Sequence, residues 1–149
     1  MLTLPVKLKN HLILLDIDGT ITADGDDIIS KGIFKKIQIL KRANVIYLCS
    51  NRRPHARNQK LARDLGVHYL RTELRKPNPF IKKFIKNPQK LPLIVIGDKW
   101  LTDGFFARNI KAKFIKINRI VSGHESFLIK ISYWLDDILW LAKKLIKLA

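Results

Sequence analysis

An apolar run that ends in two closely spaced aspartates most constrains how this chain can fold. The stretch 11–22 reads HLILLDIDGTIT, so Asp16 directly follows four apolar residues and Asp18 comes two residues later. Side chains of a strand alternate between its faces, but Gly19 allows the chain to bend and bring the second carboxylate back over the first. A lone Asp-x-Asp pair is usually a solvated turn, whereas here we expect a site at the carboxyl end of a buried strand, where α/β sheets bind ligands.

Strands and helices are predicted to alternate along the rest of the chain. After the first strand we expect a helix at 28–42, a strand at 45–49, a helix at 54–64, a strand at 67–70, a helix at 77–86, a strand at 93–96, a helix at 105–110 and a strand at 113–117. This alternation predicts an α/β fold with a parallel sheet of about five strands and helices on both faces.

The length and charge of the chain limit its organisation and its partners. A chain of 149 residues is expected to form one domain, which we divide into a core at 1–121 and an amphipathic helix at 122–149. The formal net charge of +17 predicts an anionic partner: nucleic acid, an anionic membrane surface or a polyanionic substrate. The alternative is a lysine-rich genome, in which case the charge has no functional meaning.

The single cysteine and the hydropathy pattern predict a cytoplasmic protein. Because the sequence contains one cysteine, Cys49, an internal disulfide is excluded. Cys49 ends an apolar run and is expected to be a buried structural thiol. The chain opens with no secretory signal, and no stretch reaches the roughly 20 apolar residues that span a bilayer. We therefore expect a soluble protein or one bound peripherally to the inner face of the membrane.

Polar residues also follow the other predicted strands. Ser50 follows the second strand, Asp98 follows the fourth, Asp103 comes five residues later, and Lys76 lies in a loop before the fourth strand. Carboxylates bind a hard cation such as Mg²⁺ or act as a nucleophile, while a lysine and a hydroxyl can bind phosphoryl oxygens. Each residue alone could be structural, as a helix cap or a surface lysine. Together they predict Mg²⁺-dependent phosphoryl transfer.

Four segments resemble, in order and at compatible spacing, the motifs of the haloacid dehalogenase superfamily. They are DIDGT at 16–20, the Ser-Asn pair at 50–51, the Lys-Pro pair at 76–77 and GDKWLTD at 97–103. The resemblance covers roughly residues 10–120. It implies a Rossmann-like fold and an aspartyl-phosphate mechanism.

The resemblance also implies a role for each motif residue. Asp16 would attack phosphorus, and Asp18 would protonate the leaving oxygen and later activate water. Ser50 and Lys76 would bind the phosphoryl group. The implied Mg²⁺ ligands are Asp16, Asp98 and the backbone carbonyl of Asp18, with Asp103 supporting them. The acid at position 18 favours a phosphatase, because dehalogenation does not need it.

The spacing of the motifs leaves no room for a separate cap domain, which implies an open site. The later half is most similar to the YqeG-type family that includes phosphatidylglycerophosphate phosphatases, above all GDKWLTDGFFARN at 97–109. That family usually has Asn where Gly19 stands and Gln where Lys99 stands. DIDGTITADG at 16–25 is instead similar to the capless, tetrameric octulosonate-phosphate phosphatases, so a soluble sugar phosphate stays open as the substrate.

A basic segment begins beside the expected phosphate site. Asn51, Arg52 and Arg53 follow Ser50 and are candidates for binding an anionic substrate. Most arginines in this region are expected to be ordinary rim residues.

The segment 122–149 is expected to form a helix with unequal faces. Charged residues lie largely opposite a broad apolar face; they are Lys143, Lys144, Lys147, Asp136 and Asp137. A narrower stripe of Ile129, Tyr133 and Trp140 interrupts this polar side. The broad face comprises Leu128, Ile131, Leu135, Ile138, Leu139, Ala142, Leu145 and Ile146. One face could pack on the sheet and the other meet a membrane interface. Alternatively, both faces are buried, one of them in a dimer.

These observations lead to one leading hypothesis and two alternatives. We expect a Mg²⁺-dependent phosphomonoesterase that acts on phosphatidylglycerophosphate or a similar anionic lipid phosphate. The first alternative is a soluble sugar-phosphate, nucleotide or polynucleotide-end phosphatase, which could form homo-oligomers. The second is a basic nucleic-acid-binding module, which the charge favours although no recognition motif is found.

Overall fold

A computed structural model describes residues 3–148, with side chains to residue 146. Residues 1, 2 and 149, at the ends of the predicted core (1–121) and helix (122–149), lie outside the described residues. So does the side chain of Lys147, which was predicted to be on the polar side of the helix.

Five parallel strands form a single sheet. They are β1 (Leu12–Leu15), β2 (Val45–Leu48), β3 (His68–Tyr69), β4 (Leu93–Gly97) and β5 (Lys113–Lys116), in the order β3-β2-β1-β4-β5. The predicted α/β fold and parallel sheet are therefore confirmed. β2 and β3 lie on one side of β1, and β4 and β5 lie on the other side. The order of the strands therefore reverses its direction at β1.

The central strand is buried on both sides. Ile13 and Leu15 belong to one apolar layer, while Leu12 and Leu14 belong to the other, and all four side chains are at most 1% exposed. A strand that is covered on both faces reads as a continuous apolar run, because neither alternating set of side chains meets water. This is why LILL precedes the aspartates.

Within residues 3–148, four α-helices accompany the sheet: α1 (Lys31–Leu40), α2 (His55–Leu65), α3 (Phe105–Asn109) and α4 (Phe127–Leu148). α1 begins where the Ser30 hydroxyl accepts a hydrogen bond from the Ile33 amide, and α2 ends at Gly66 in the left-handed conformation. No separate cap unit lies between these elements within residues 3–148.

Two segments differ from the expected helices. The helix predicted at 77–86 is a short 3₁₀ helix at Pro79–Phe84, because prolines at 77, 79 and 88 remove amide donors at both of its ends. The helix predicted at 105–110 is preceded by a π-helical turn at Trp100–Gly104, which contains Asp103.

The C-terminal helix α4 packs on the core through its narrow stripe. Tyr133 is buried, and the Trp140 ring lies 6.4 Å from the Trp100 ring and 6.1 Å from the Phe114 ring between centroids. The broad apolar face named above is exposed instead, and Phe127, Trp134 and Leu141 extend it. We call this exposed surface the outer face of α4. None of the helices described is both long enough and apolar enough to cross a membrane.

Candidate active site

The predicted site residues converge where the chain changes direction in the sheet. Asp16 and Asp98 directly follow β1 and β4, and Ser50 comes two residues after the end of the neighbouring β2. All three are at least nine-tenths buried. Parallel strands end at the same edge, so three separate stretches of sequence deliver their polar side chains to one place.

A tight bend after β1 brings the two aspartates of the first motif into this edge. Gly19 has a φ of +78°, and a Cβ atom at that position would lie 2.7 Å from an Asp98 carboxylate oxygen. A side chain at Gly19 would therefore be strained and would also collide with a site residue. The bend that the sequence predicted at this glycine is present.

A buried lysine joins two of the acids. Lys76 Nζ lies 2.6 Å from Asp16 Oδ1 and 2.5 Å from Asp103 Oδ1. Burial alone would lower the pKa of Lys76, but the Asp103 and Asp16 carboxylates raise it above its usual value. Lys76 is therefore a permanent positive charge at the floor of the site.

Three carboxylates form a compact cluster with the composition of a hard-metal site. One oxygen from each of Asp16, Asp98 and Asp103 lies within 4.8 Å of the others. Burial raises the pKa of all three, that of Asp16 to about 7, although Lys76 opposes the effect at Asp16 and Asp103. Among the described residues, Asp98 Oδ1 is buried without a hydrogen-bond partner. A divalent cation fits this donor set because it would stabilise the ionised forms and satisfy that oxygen.

The second acid of the first motif faces a different set of donors. The Asp18 carboxylate accepts hydrogen bonds from the Ser50 hydroxyl at 3.1 Å and the Gly25 amide at 2.9 Å. Arg52 Nε and Arg57 Nη2 lie 3.2 Å and 3.1 Å from Asp18 Oδ1. Asp18 is therefore fixed beside the acid cluster, and its backbone carbonyl as a metal ligand remains a prediction.

The three rim candidates occupy different positions. The Asn51 side chain donates to the Lys76 carbonyl at 2.9 Å and accepts from the Lys76 amide at 2.6 Å, so it holds the lysine-bearing loop. Arg52 forms ion pairs with Asp18 and Asp24. Arg53 borders the site, but its Nη2 donates to the Thr72 carbonyl at 2.7 Å.

These residues line one pocket of about 410 Å³. Its lining comprises Asp16, Asp18, Asp24, Ser50, Asn51, Arg52, Arg53, Lys76, Lys99 and Thr102. All the predicted site residues except the buried Asp98 and Asp103 are at its surface. The pocket has acids at its floor and basic side chains around its wall. This arrangement suits a bound anionic group, because positive charges neutralise that group from several directions.

Sequence reasoning missed two arginines that contact the acids. Arg57, in the first turn of α2, reaches Asp18, and Arg119 Nε lies 2.5 Å from Asp98 Oδ2. The signal for Arg119 was its position just beyond the carboxyl end of β5, the edge that also carries Asp16 and Asp98. No comparable signal marks Arg57 in a chain with so many basic residues.

The cysteine behaves as a structural residue. Cys49 is buried, as predicted, and burial raises the pKa of its thiol to about 12. It is therefore a protonated thiol at neutral pH rather than a nucleophile.

Comparisons with known proteins find a matching family model and a similar solved structure. A family model described as mitochondrial PGP phosphatase matches residues 2–122. Among solved structures, a chain in "Structure of Pnkp1/Rnl/Hen1 complex" is similar with a TM-score of 0.50 and 14% identity, over 75% of this chain and 47% of that chain. This chain thus spans about half the length of that solved chain. At this identity the likeness shows the fold alone. The search of curated proteins finds no match.

Proposed function

This chain belongs to the family of mitochondrial PGP phosphatases, and we propose that it is a Mg²⁺-dependent phosphomonoesterase that acts on phosphatidylglycerophosphate through an aspartyl-phosphate. Family membership indicates a phosphatase whose substrate is a phosphate-ester lipid. The metal, the covalent intermediate and the roles of individual residues are the parts that we propose here.

The position of Lys76 supports the chemical part of the proposal. Lys76 Nζ lies between Asp16 and Asp103, beside a pocket lined by Ser50 and Asp18. A nucleophilic carboxylate that attacks a phosphate dianion faces electrostatic repulsion, and a buried ammonium group next to it reduces that repulsion. Ser50 and Lys76 are the proposed ligands of the phosphoryl oxygens.

The proposed reaction has two displacement steps. A carboxylate oxygen of Asp16 attacks phosphorus, the bond to the glycerol oxygen breaks, and Asp18 donates a proton to that oxygen as phosphatidylglycerol leaves. Asp18 then takes a proton from water, whose oxygen attacks phosphorus. The bond between Asp16 and phosphorus breaks, which releases inorganic phosphate and restores both side chains.

The acid cluster is the proposed metal site. Asp16, Asp98 and the backbone carbonyl of Asp18 would hold Mg²⁺, and Asp103 would support them through its contact with Lys76. When bound, the ion would supply positive charge against the phosphoryl oxygens in the transition state. The compact oxygen donor set and the unpartnered Asp98 Oδ1 support this assignment.

The cationic wall of the pocket suits a substrate that carries more than one phosphate. Phosphatidylglycerophosphate has a terminal phosphomonoester and an internal phosphodiester. With the monoester at the floor, Arg52, Arg53 and Lys99 are the proposed partners of the charge nearer the mouth. Asn51 contributes indirectly, because its amide fixes the Lys76 loop.

A lipid substrate requires a protein that works at a membrane. We propose that the core, residues 1–121, acts as a peripheral protein on the inner face of the membrane and that the helix at 122–149 provides the contact. The open site favours this arrangement, since no cap unit within residues 3–148 stands between the pocket and a lipid surface.

The experiment that tests the proposed function is a comparison of substrates. Phosphate release is measured with Mg²⁺ from phosphatidylglycerophosphate in mixed micelles, from a soluble sugar phosphate and from a phosphorylated oligonucleotide. We expect release mainly from the lipid. Release mainly from a soluble ester would overturn the lipid assignment and keep the chemistry, whereas no release from any substrate would contradict both.

A further inference from the structure

The outer face of α4 is a large apolar surface that no other part of the described chain covers. Leu128, Trp134 and Leu145 are 77%, 64% and 68% exposed, and the other apolar side chains of this face are exposed as well. At 3.6 residues per turn, the apolar positions occupy a continuous arc of roughly 160°. Monomeric soluble proteins rarely expose contiguous apolar patches of this kind, so the face indicates a binding surface.

Buried polar contacts fix which face of α4 points outward. Asp136 is 1% exposed and accepts hydrogen bonds from the Trp100 amide at 3.0 Å and the Leu101 amide at 2.7 Å. Lys116 Nζ lies 2.7 Å from Asp136 Oδ2. Rotation of α4 to bury its outer face would remove the carboxylate from all these donors and leave them unsatisfied.

The same helix also borders the active-site pocket. Lys99, which lines the pocket, places its Nζ 5.1 Å from the centroid of the Tyr133 ring. The Arg119 guanidinium lies 3.9 Å from that centroid, and the same side chain pairs with Asp98. One side of α4 therefore contacts residues of the site while the other side carries the apolar surface.

We propose that the outer face of α4 docks into the headgroup region of an anionic lipid bilayer, with the helix lying in the plane of the membrane. The choice of a lipid partner rests on the proposed function, in which the substrate is a lipid phosphate. The terminal phosphate of that lipid extends from the surface, so a pocket held at headgroup level reaches it without extracting the acyl chains.

Charge favours a bilayer over a second copy of this chain. Two copies, each with a net charge of +17, repel each other, whereas an anionic surface attracts the protein. Lys130 and Lys144 flank one edge of the apolar arc, and the exposed indole of Trp134 lies near the same edge. Lysines and tryptophans at the border of an apolar face are typical of helices at the membrane interface.

Vesicle flotation tests this proposal without any catalysis. The full chain is mixed with substrate-free vesicles of phosphatidylcholine alone or of phosphatidylcholine with phosphatidylglycerol. We expect binding to the anionic vesicles, reduced about tenfold or more by Leu135→Glu with Ile138→Glu, because these side chains lose apolar burial and place charge in the interface. Lys130→Ala with Lys144→Ala should weaken binding by about fivefold per lysine.

The matched control replaces apolar side chains with similar exposure on the 3₁₀ helix. Phe80 and Phe84 are 58% and 50% exposed, and Phe80→Glu with Phe84→Glu should bind anionic vesicles like the unmodified chain. Thermal unfolding checks that each variant is folded. Equal loss of binding in both double variants would overturn the proposal, since it would show a general charge effect.

The oligomeric state of the protein distinguishes a lipid bilayer from a second copy of the chain as the partner of the outer face of α4. If the unmodified chain is a dimer that Leu135→Glu with Ile138→Glu converts to a monomer, and anionic vesicles do not bind, a second copy covers the face and the proposal is wrong. Because these vesicles contain no substrate, inactivity towards phosphatidylglycerophosphate would overturn the proposed function and leave the docking result readable.

Discussion

The active-site edge of the sheet and the outer face of α4 depart in opposite ways from the usual distribution of side chains. At the edge, the ionisable side chains of Asp16, Lys76 and Asp98 are buried, while on α4 apolar residues such as Leu128 are exposed. Buried charges are unfavourable unless they are paired or bind an ion, and exposed apolar patches are rare unless something binds them. Each region therefore has an unusual feature that a partner outside the chain would relieve: a cation and a phosphate are the proposed partners of one, and a lipid surface is the proposed partner of the other.

The two regions are joined by charged residues. Arg119 contacts Asp98 at the edge and lies over Tyr133 of α4, while Lys116 donates to the Asp98 carbonyl at 2.7 Å and pairs with Asp136. The inner side of α4 is thus part of the scaffold of the site.

Removal of the proposed nucleophile should have its largest effect on chemistry. Asp16→Asn is expected to lower the rate of phosphate release by about 10⁴-fold or more, because an amide cannot form the aspartyl-phosphate. Steady-state kinetics on phosphatidylglycerophosphate measures the effect. Asp64→Asn, on the exposed surface of α2, is the control and should leave the rate unchanged. If Asp16→Asn retained most of the activity, another nucleophile would be required.

Removal of the buried lysine should affect stability as well as chemistry. Lys76→Met leaves the Asp16 and Asp103 carboxylates without their cationic partner, and we expect the free energy of unfolding to fall by about 3–5 kcal/mol. Denaturant unfolding measures this loss. Lys35→Met, on the exposed side of α1, should change it by less than about 0.5 kcal/mol. Equal effects of the two variants would mean that the buried pairing contributes no stability.

Addition of Mg²⁺ should stabilise the folded protein through the acid cluster. At a concentration of roughly one hundred times Kd, an ion that binds only the folded state adds about 2.7 kcal/mol to the free energy of unfolding. Thermal unfolding with Mg²⁺ and with a chelator measures this difference. Asp98→Asn should reduce the shift, whereas an unchanged shift in that variant would place the ion elsewhere.

Removal of the carboxylate that anchors α4 should have a smaller, pH-dependent effect. Burial would raise the pKa of Asp136, but the Leu101 and Trp100 amides and the Lys116 ammonium group lower it below its usual value. Asp136→Asn is expected to lower the free energy of unfolding by about 1–2 kcal/mol at neutral pH. Because the folded pKa is depressed, the contribution of the ionised carboxylate is complete above the unfolded value near 3.9, and it is lost progressively as the pH falls below that value and through the folded pKa.

The neighbouring aspartate provides a matched control for this prediction. Asp137 also pairs with Lys116 and Arg119, at 3.3 Å in each case, but its side chain is 54% exposed. Asp137→Asn should change the free energy of unfolding by less than about 1 kcal/mol, since solvent screens exposed pairs. Equal effects of the two substitutions, measured by denaturant unfolding between pH 3 and pH 7, would contradict a special role for the buried contacts.

Local signals in the sequence were sufficient to predict most of the strands of the sheet and the positions where they end. The buried run before Asp16 and the polar residues after later strands predicted the α/β order, and the bend at Gly19 is present as expected. Helix type was less predictable. Prolines around 79–84 shortened a predicted helix into a 3₁₀ turn, and the π-helical turn at Trp100–Gly104 had no local signal.

The amphipathic helix illustrates what a helical wheel cannot decide. Periodicity identified its broad apolar face and its narrow stripe, but the wheel contains no information about what each face contacts. The narrow stripe packs inward because Asp136 can satisfy two backbone amides and Lys116 there, which the larger apolar face cannot do.

Local pattern and spacing in the sequence were sufficient to predict the order of the strands along the chain, the family and the residues available for chemistry. Which charges meet depends on the tertiary structure. Arg57, Arg119 and Asp136 contact residues 20 or more positions away in the chain, and no local pattern records such distances. Parallel strands joined by crossovers bring remote segments to one edge, so the partners of a buried charge depend on the fold rather than on its neighbours in the chain.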